Sequence, residues 1–300
     1  GGAPQPNEKE VIKLRAERLT SVREAVAKAT QRGGASLSKK VLLLFSGPYN
    51  RPDGLGAYLT GMGLEPVMVD NDAGRGGDKR HDIMNDSFFQ ALLRRVALGE
   101  FLLVIAAPPC STFSIARFFK SKSAKDGGPP PVRYRDSIMG RADCPSEHRD
   151  ELNNANELVR RMTIMLHVAY GAGSEFLIEN PADRGDAKSP HLFINDKHGP
   201  LWLVPDILTL ARACSCKLVT FAQCRFGGAS QKYTTFLPSP GLIPYLSHLE
   251  ELRCNHVGGH DQRAGGEKDE DDDWNSREHA AFPPALNFAL AEMAAALVRQ

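Results

Sequence analysis

Two side chains that can do chemistry each follow an apolar segment of the sequence. Cys110 comes directly after the run Phe101 to Ala107 and two prolines, and Glu179 ends a second apolar run. Short runs of large aliphatic residues are typical of parallel strands that are buried on both faces. Open α/β sheets bind their ligands beyond the carboxyl ends of their strands. A thiol and a carboxyl group at two such ends predict one reaction site, although a lone cysteine is also a common structural residue.

A thiol and a carboxyl group suit the transfer of a methyl group to a pyrimidine ring. C5 of a pyrimidine is a poor nucleophile until a thiolate, here that of Cys110, adds to C6 and turns the ring into an enamine. A carboxyl group such as Glu179 can hydrogen-bond the ring at N3 and at the exocyclic amine. A base inside a duplex is out of reach, so it must be flipped out while basic segments hold the strands.

A basic segment follows Cys110. Between residues 114 and 135 there are six basic residues against one acidic residue, Asp126. We predict that this segment contacts the phosphates of a nucleic acid, although a solvated connection is a common alternative. The predicted nucleic-acid contacts are Ser114, Arg117, Lys120, Lys122, Arg133 and Arg135. The acidic run 267–273 should be solvated and kept away from phosphates.

The elements that would position these groups alternate between strands and helices. Residues 41–45 form an apolar run followed by a glycine-containing turn and a helix, and the next run, 66–69, ends in Asp70. Glycines let a backbone approach a ligand, and an acidic residue at a strand end can bind ribose hydroxyls. The glycine spacing does not match the dinucleotide fingerprint, which disfavours a nicotinamide dehydrogenase. This alternation predicts a parallel, doubly wound sheet.

The composition is that of an ordinary globular protein. The 300 residues are 42% hydrophobic and 24% charged, with a formal net charge of +1. No apolar run approaches the ~20 residues that span a bilayer, and six cysteines in this length do not indicate a disulfide scaffold. We therefore expect an intracellular monomer that binds no membrane and is nuclear if the organism is eukaryotic.

In their order, the motifs resemble those of the cytosine-C5 DNA methyltransferases, which use S-adenosylmethionine. Residues 45–47 with 54–56 resemble the first cofactor motif of that family, interrupted by the insertion 49–53. Residues 108–110 resemble its nucleophile motif, and Glu179-Asn180 resembles its carboxyl motif. The combination of these motifs is specific, whereas each motif alone is not.

The resemblance implies an S-adenosylmethionine site. In that site Asp70 would bind the ribose, Asp82 and Ile83 would contact the adenine, and Asn287 would come from the final motif, carried by the helix 284–298. The implied cofactor residues are Phe45, Ser46, Gly47, Pro48, Gly54, Leu55, Gly56, Asp70, Asn71, Asp82, Ile83, Pro108 and Asn287.

The sequence departs from the family pattern in ways that mark a divergent, phage-like or mobile-element-like member. Ser111 stands where the family usually has Gln, and Pro181 stands where Val usually follows Glu-Asn. Both arginines of the family's Gln-x-Arg-x-Arg motif are missing from their expected places, so another basic residue would have to assist at the cytosine carbonyl. The implied catalytic residues are Cys110 and Glu179, assisted by Arg225 or Lys232.

The predicted fold is α/β, a Rossmann-like class I methyltransferase fold. It has a mostly parallel sheet with helices on both faces, and a small target-recognition domain. The predicted division is a leader and helix over 1–38, a catalytic cofactor-binding domain over 39–208, a target-recognition domain with an acidic loop over 209–281, and a returning C-terminal helix over 282–300.

A group of cysteines and histidines in the second half predicts a zinc site. Thiolate and imidazole are suitable zinc ligands, but the spacing matches no standard zinc finger. The alternative is a set of scattered thiols and surface histidines. The candidate ligands are Cys224, Cys254, His256 and His260, with Cys214 and Cys216 as further thiols.

The resemblance implies methyl transfer from S-adenosylmethionine to C5 of a flipped-out cytosine in DNA, through an adduct on Cys110. S-adenosylhomocysteine would be the cofactor product. Two alternatives remain open. One is a cytosine-5 methyltransferase that acts on RNA, such as tRNA. The other is a catalytically weak or inactive nucleic-acid-binding module of the same fold, which the missing arginines favour.

Overall fold

The computed structural model describes residues 38–120, 128–257, 260 and 281–298. Three predictions lie outside these residues: the leader and helix before residue 38, the acidic run 267–273, and the phosphate contact of Lys122. None of the helices in the described ranges combines the length and the apolar character that a membrane crossing requires.

Six strands form one sheet. They are β1 (Lys40–Leu44), β2 (Glu65–Val69), β3 (Leu103–Ala106), β4 (Glu175–Pro181), β5 (Val219–Ala222) and β6 (Tyr233–Pro238). Their order across the sheet is β2-β1-β3-β4-β6-β5. The first four strands of the chain run parallel, whereas β6 is antiparallel to both of its neighbours.

Helices cover both faces of the sheet. They are α1 (Leu55–Gly61), α2 (Asp86–Ala97), α3 (Arg149–Gly171), α4 (Pro205–Ala213), α5 (Ile243–Leu246) and α6 (Pro284–Leu297). Residues of α2, α3 and α4 pack into one core, and residues of α1, α5 and α6 pack into a second core. Short 3₁₀ helices span Ala73–Arg75, Ile115–Phe118, Ser146–His148, Leu201–Leu203, Gln223–Phe226, Pro240–Leu242 and Ser247–Glu251.

The uninterrupted apolar runs of the central strands contribute side chains to the cores on both faces of the sheet. In β1, Val41 and Leu43 belong to the core of α1 and α6, whereas Leu42 and Leu44 belong to the core of α2 and α3. Successive strand residues point to opposite faces, so a strand between two helical layers is apolar at every position. This architecture confirms the predicted α/β, Rossmann-like fold, a mostly parallel sheet with helices on both faces.

The chain beyond residue 208, where the sequence predicts a target-recognition domain over 209–281, contributes β5 and β6 to this sheet. β6 pairs with β4 over five residues, and β5 pairs with the far side of β6. Phe221 and Phe236 pack with ring centroids 4.9 Å apart, inside the core of α1 and α6. The strand propensity of these segments was visible in the sequence. Their antiparallel partner was not, because it lies far away along the chain.

Replacing Phe236 by alanine tests this continuity. Phe236 is fully buried at 0% exposure, so loss of its ring should lower the free energy of unfolding by about 3–5 kcal/mol. Because β6 belongs to the main sheet, we expect the whole urea transition, followed by far-UV circular dichroism, to shift as one step. Leu218→Ala, at a position 44% exposed, is the control and should leave the midpoint nearly unchanged. An early transition that leaves the main one in place would contradict the continuity.

Candidate active site at the strand ends

The pairing of β3 with β4 brings the two predicted reactive groups to one edge of the sheet. The two strands are parallel neighbours. Glu179 lies near the end of β4, and Cys110 lies in the loop that follows β3. Nδ2 of Asn180 donates a hydrogen bond of 3.0 Å to the carbonyl of Pro108. This bond ties the loop that carries Cys110 to the strand end that carries Glu179.

Glu179 is oriented by a chain of buried polar side chains. The residue is 6% exposed, and its Oε1 accepts a hydrogen bond of 3.0 Å from the hydroxyl of Thr234. The same hydroxyl accepts a bond of 2.8 Å from Nε2 of Gln223, which is also buried. Nζ of Lys232 lies 3.9 Å from Oε1. The carboxylate is therefore fixed from one side, and a cation lies beside it.

Gln223 and Thr234 were not predicted as site residues from the sequence. Thr234 reaches Glu179 because β6 lies antiparallel to β4, with Thr234 opposite Pro181. Gln223 reaches Thr234 because its backbone N–H donates a 2.9 Å bond to the carbonyl of Lys232, which closes the turn between β5 and β6. A polar residue inside a buried strand is the one local signal that could have marked Thr234, since such residues need buried partners.

Cys110 lies in the electrostatic field of the same groups. Burial raises the pKa of its thiol above the ordinary value, the ammonium group of Lys232 opposes that rise, and the carboxylate of Glu179 adds to it. The thiol of the free protein is therefore mainly protonated at neutral pH, and Lys232 is a group that favours the reactive thiolate. The loop itself is fixed by a 2.9 Å bond between Nε2 of the buried His198 and the carbonyl of Phe113.

Of the two basic residues predicted to replace the missing arginines, Lys232 approaches Glu179 and Arg225 does not. Arg225 lies exposed in the 3₁₀ helix after β5. Among the described contacts, none joins it to Cys110 or Glu179. The difference arises because the 3₁₀ helix turns the Arg225 side chain toward solvent, whereas Lys232 directly precedes β6 and the buried Thr234.

The turn after β1 has the geometry of a ligand-binding loop. Phe45 and Gly47 have left-handed φ angles of 59° and 70°, which reverse the chain at the strand end, with Ser46 between them. The N–H of Gly47 donates a 2.9 Å bond to Oδ2 of Asp70, and the N–H of Asp72 donates a 2.9 Å bond to Oδ1. A carboxylate has about four acceptor positions, so these two bonds orient Asp70 and leave capacity for ligand hydroxyls.

The second glycine group begins α1. Gly54 is the N-cap residue of α1, and Leu55 packs at the margin of the core beneath it. Gly56 is buried, and a Cβ at this position would lie 2.8 Å from Sδ of Met68. A side chain there would displace Met68, so Gly56 allows α1 to approach β2 closely. Pro48 lies in the loop between β1 and α1.

The insertion 49–53 contributes Tyr49, which was not predicted as a site residue from the sequence. The hydroxyl of Tyr49 lies 3.0 Å from both the backbone N and the carbonyl O of Asp70, and 2.7 Å from Nδ1 of His81. The His81 ring stacks on Phe88 with centroids 5.4 Å apart. These three rings form an aromatic wall at the end of β2. An aromatic residue shortly after a glycine turn could have indicated such a wall, but its partner could not be read locally.

The residues implied for the adenine lie next to this wall. Asp82 is half-buried, and its Oδ1 accepts a 2.8 Å bond from the N–H of Met84. Ile83 is 3% exposed and packs in the core of α2 and α3. Asn71 is exposed at the end of β2. Of these three residues, Ile83 is the one whose side chain packs mainly in the core.

Asn287 anchors α6 to the insertion. The residue is 2% exposed, and its Nδ2 donates a 2.9 Å bond to the carbonyl of Asp53. The apolar residues on either side of it, Leu286 and Leu290, pack with Leu59 of α1. The helix predicted to return to the cofactor loop therefore does contact that loop, through a backbone carbonyl.

A cleft lies between the loop that follows β1 and the turn that carries Lys232. Its volume is about 260 Å³, and its walls include Arg51 of the insertion, Gln223, Lys232 and Phe282. Arg51 is ion-paired with Asp53 at 2.6 Å. The cleft therefore lies between the turn after β1 and the polar chain that orients Glu179.

Arg133, predicted to contact phosphates, is buried instead. It is 1% exposed, and its guanidinium carbon lies 4.1 Å from the centroid of the Phe113 ring. Its N–H groups donate to the Thr112 hydroxyl at 3.1 Å and to Asn156 Oδ1 at 2.7 Å. Burial lowers the pKa of Arg133 to about 10. This side chain holds the loop after Cys110 and is not available to a nucleic acid.

The other described members of the basic segment also have partners within the protein, with one exception. Arg117 pairs with Glu151 at 2.5 Å, and Arg135 pairs with Asp183 at 2.9 Å. Ser114 caps a 3₁₀ helix by accepting a 3.1 Å bond from the N–H of Ala116. Lys120 is exposed and is the described member that remains a direct candidate for a phosphate contact. The arginines of the segment therefore mainly hold the segment in place through ion pairs and hydrogen bonds within the protein.

The four candidate zinc ligands converge. One ligand atom from each of Cys224, Cys254, His256 and His260 lies within 4.8 Å of all the others. Cys214 and Cys216 do not join them. They lie at the end of α4, where Cys214 is buried in the core of α2 and α3.

The fold and the site define an α/β protein with a Rossmann-like sheet and with a thiol and a carboxylate at neighbouring strand ends. No protein-family model and no curated protein sequence matches the chain. Among solved structures, it is similar to the S. pombe Dnmt2 methyltransferase, with a TM-score of 0.33 and 13% identity. The match covers 66% of this chain and 48% of that one, so the chain spans about half the length of that structure.

The charges around Cys110 predict opposite effects of two substitutions on its pKa. Lys232→Met removes a cation that stabilises the thiolate, so the pH midpoint of Cys110 alkylation by iodoacetamide should rise. Glu179→Gln removes an anion that destabilises the thiolate, so the midpoint should fall. Mass spectrometry of the Cys110 peptide after brief alkylation across neutral and alkaline pH measures both shifts. Arg225→Met is the control. Shifts of the same sign, or an equal shift in the control, would contradict the arrangement.

Replacing Arg133 by leucine tests whether this side chain is structural. The change removes the cation–π contact and leaves the polar partners Thr112 and Asn156 without their donor, so the free energy of unfolding should fall by roughly 2–4 kcal/mol. Urea unfolding followed by fluorescence measures the change. Lys120→Ala, in the same segment but exposed, should leave stability unchanged. If Arg133→Leu kept full stability and only weakened nucleic-acid binding, the structural role would be refuted.

Proposed function

We propose that this protein is an S-adenosylmethionine-dependent DNA cytosine-5 methyltransferase. The observation that carries the proposal is the pair Cys110 and Glu179 at the ends of neighbouring parallel strands, with Lys232 beside the carboxylate. These groups are a nucleophile, a hydrogen-bonding acid and a cation, which together meet the needs of substitution at C5 of a cytosine.

Cys110 acts as the nucleophile. Its thiolate adds to C6 of a flipped-out cytosine, and the electron pair of the C5–C6 double bond then makes C5 nucleophilic. When bound, S-adenosylmethionine supplies a methyl group on a positively charged sulfur. Once C5 carries the methyl group, loss of the C5 proton to water re-forms the double bond and expels the Cys110 thiolate.

Glu179 and Lys232 stabilise the ring during this addition. The Glu179 carboxyl group hydrogen-bonds N3 and the exocyclic amine of the cytosine, and the Thr234 hydroxyl keeps the group in this orientation. Lys232, whose Nζ lies 3.9 Å from Oε1 of Glu179, would donate to the cytosine carbonyl, where negative charge develops after thiolate addition. It would thus take over the task of the arginines that the family motif contains.

The residues at the ends of β1 and β2 fit S-adenosylmethionine. Asp70 has acceptor positions for the ribose hydroxyls. The left-handed turn at Gly47 borders open space, since a Cβ built there meets no atom within 4 Å. The aromatic wall of Tyr49, His81 and Phe88 offers flat surfaces for the adenine ring.

Replacing Asp70 by alanine tests this cofactor site. Because the change removes the acceptor for the ribose hydroxyls, Asp70→Ala should weaken binding of the cofactor in isothermal titration calorimetry without changing the alkylation rate of Cys110.

Trapping of a covalent adduct tests the proposed reaction. A ring with fluorine at C5 cannot lose a proton there, so 5-fluorocytosine in duplex DNA, with S-adenosylmethionine present, should give a protein–DNA adduct that survives denaturation. Cys110→Ala should abolish the adduct. Glu179→Gln should slow methyl transfer to unmodified DNA by about 10²–10⁴-fold. Cys216→Ala, a partly buried thiol outside the site, is the matched control and should keep the activity.

The substrate is decided in the same experiment by parallel reactions with duplex DNA and tRNA. An adduct on DNA supports the proposal, whereas an adduct on tRNA alone would replace DNA by RNA as the substrate. Folded protein that binds both the cofactor and nucleic acid but forms no adduct on DNA or tRNA would refute the proposal that the protein is an enzyme. In that case the chain would act as a binding module.

A further inference from the structure

A second cluster of reactive side chains lies outside the Cys110 site. The Cys/His cluster consists of Cys224, in the 3₁₀ helix after β5, and of Cys254, His256 and His260, which follow the 3₁₀ helix Ser247–Glu251. Sγ of Cys254 lies 3.2 Å from Nε2 of His260 and 3.6 Å from Nδ1 of His256. The two imidazole rings have centroids 4.3 Å apart.

The spacing of these atoms is close to that of a tetrahedral metal site. Zinc–sulfur bonds of about 2.3 Å and zinc–nitrogen bonds of about 2.0–2.1 Å place neighbouring ligand atoms roughly 3.3–3.8 Å apart. In the cluster all four candidate ligand atoms lie within 4.8 Å of one another, so small side-chain rotations would complete the tetrahedron. Two thiolates with two imidazoles are a donor set that selects Zn²⁺ among the common divalent cations.

The cluster also has the position of a structural site. Cys224 is 6% exposed and belongs to a small core with Ala182, Leu192 and Tyr233. The N–H of Cys254 donates a 3.1 Å bond to the Tyr233 hydroxyl. This small cluster buries little apolar surface of its own, so a bound metal ion would add to the stability of this edge of the protein.

We propose that Cys224, Cys254, His256 and His260 bind one structural Zn²⁺ ion. Four protein ligands leave no open position, so the ion would have no catalytic role of its own. The site would join the turn after β5 to the segment after residue 251. These parts of the chain already meet at a 2.9 Å bond from the N–H of Ala222 to the carbonyl of Leu252.

The position of the ion would matter to the Cys110 site. Gln223 directly precedes Cys224, and its side chain donates to Thr234, which in turn donates to Glu179. A metal bond at Cys224 would therefore fix the backbone from which this polar chain starts. Metal binding itself does not depend on the proposed methyl transfer and can be tested separately.

Metal analysis of the full chain tests the site. Protein purified without added metal and passed through chelator-treated buffer should contain about one zinc ion per chain by plasma mass spectrometry. Cys254→Ser should lose most of this zinc. Cys216→Ser is the matched control and should retain it. Because Cys254→Ser could also impair folding, circular dichroism is recorded for each variant, and the wild-type protein is tested in a second way.

In the second test, zinc is removed from the wild-type protein by a chelator and then restored. The melting temperature should fall by several degrees on removal and recover with Zn²⁺ but not with Mg²⁺. Co²⁺ should give the intense absorption of a tetrahedral, thiolate-bound ion. Folded protein that takes up neither Zn²⁺ nor Co²⁺ would overturn the proposal. So would a Cys224–Cys254 disulfide in the purified protein, or equal loss of zinc in Cys216→Ser.

Discussion

The parallel pairing of β3 with β4 is the constraint on which the site depends. Backbone hydrogen bonds hold the two strands in one register, so their carboxyl ends stop at the same edge of the sheet. The bond from Asn180 to the Pro108 carbonyl then extends this register into the loop that carries Cys110. A slip of one residue would turn Glu179 to the opposite face, because strand side chains alternate. Both helical cores oppose such a slip, since each would lose its apolar contacts.

The reversed strand β6 supplies the second half of the site. It lies between β4 and β5 and brings Thr234 and Lys232 to the carboxylate of Glu179. Gln223, at the turn before it, completes a polar chain inside the protein. Buried polar groups are costly unless they are hydrogen-bonded to one another, so this chain favours one orientation of Glu179. The same turn carries Cys224, which links the Cys/His cluster to the geometry of the site.

The basic segment shows why charge alone did not predict function. Its positive character was evident in the sequence, but the role of each arginine depends on which groups its long side chain meets. The ring of Phe113 and the polar partners around it bury Arg133, and carboxylates from other elements pair with Arg117 and Arg135. These arginines shape the loop after Cys110. Their partners lie far away along the chain, so no local pattern could reveal them.

The strands β1 to β4 and the reactive groups at their ends could be predicted from local patterns in the chain. Apolar runs ended by prolines, glycines or acidic residues identified β1 to β4, and with them Asp70, Cys110 and Glu179, because periodicity and turn chemistry are local properties. Three features required the folded structure: β6 joins the same sheet, Lys232 lies beside the carboxylate while Arg225 faces solvent, and Tyr49 and His81 pack together at the end of β2. These outcomes depend on strand pairing and packing between distant segments, which the pattern within any one segment does not encode.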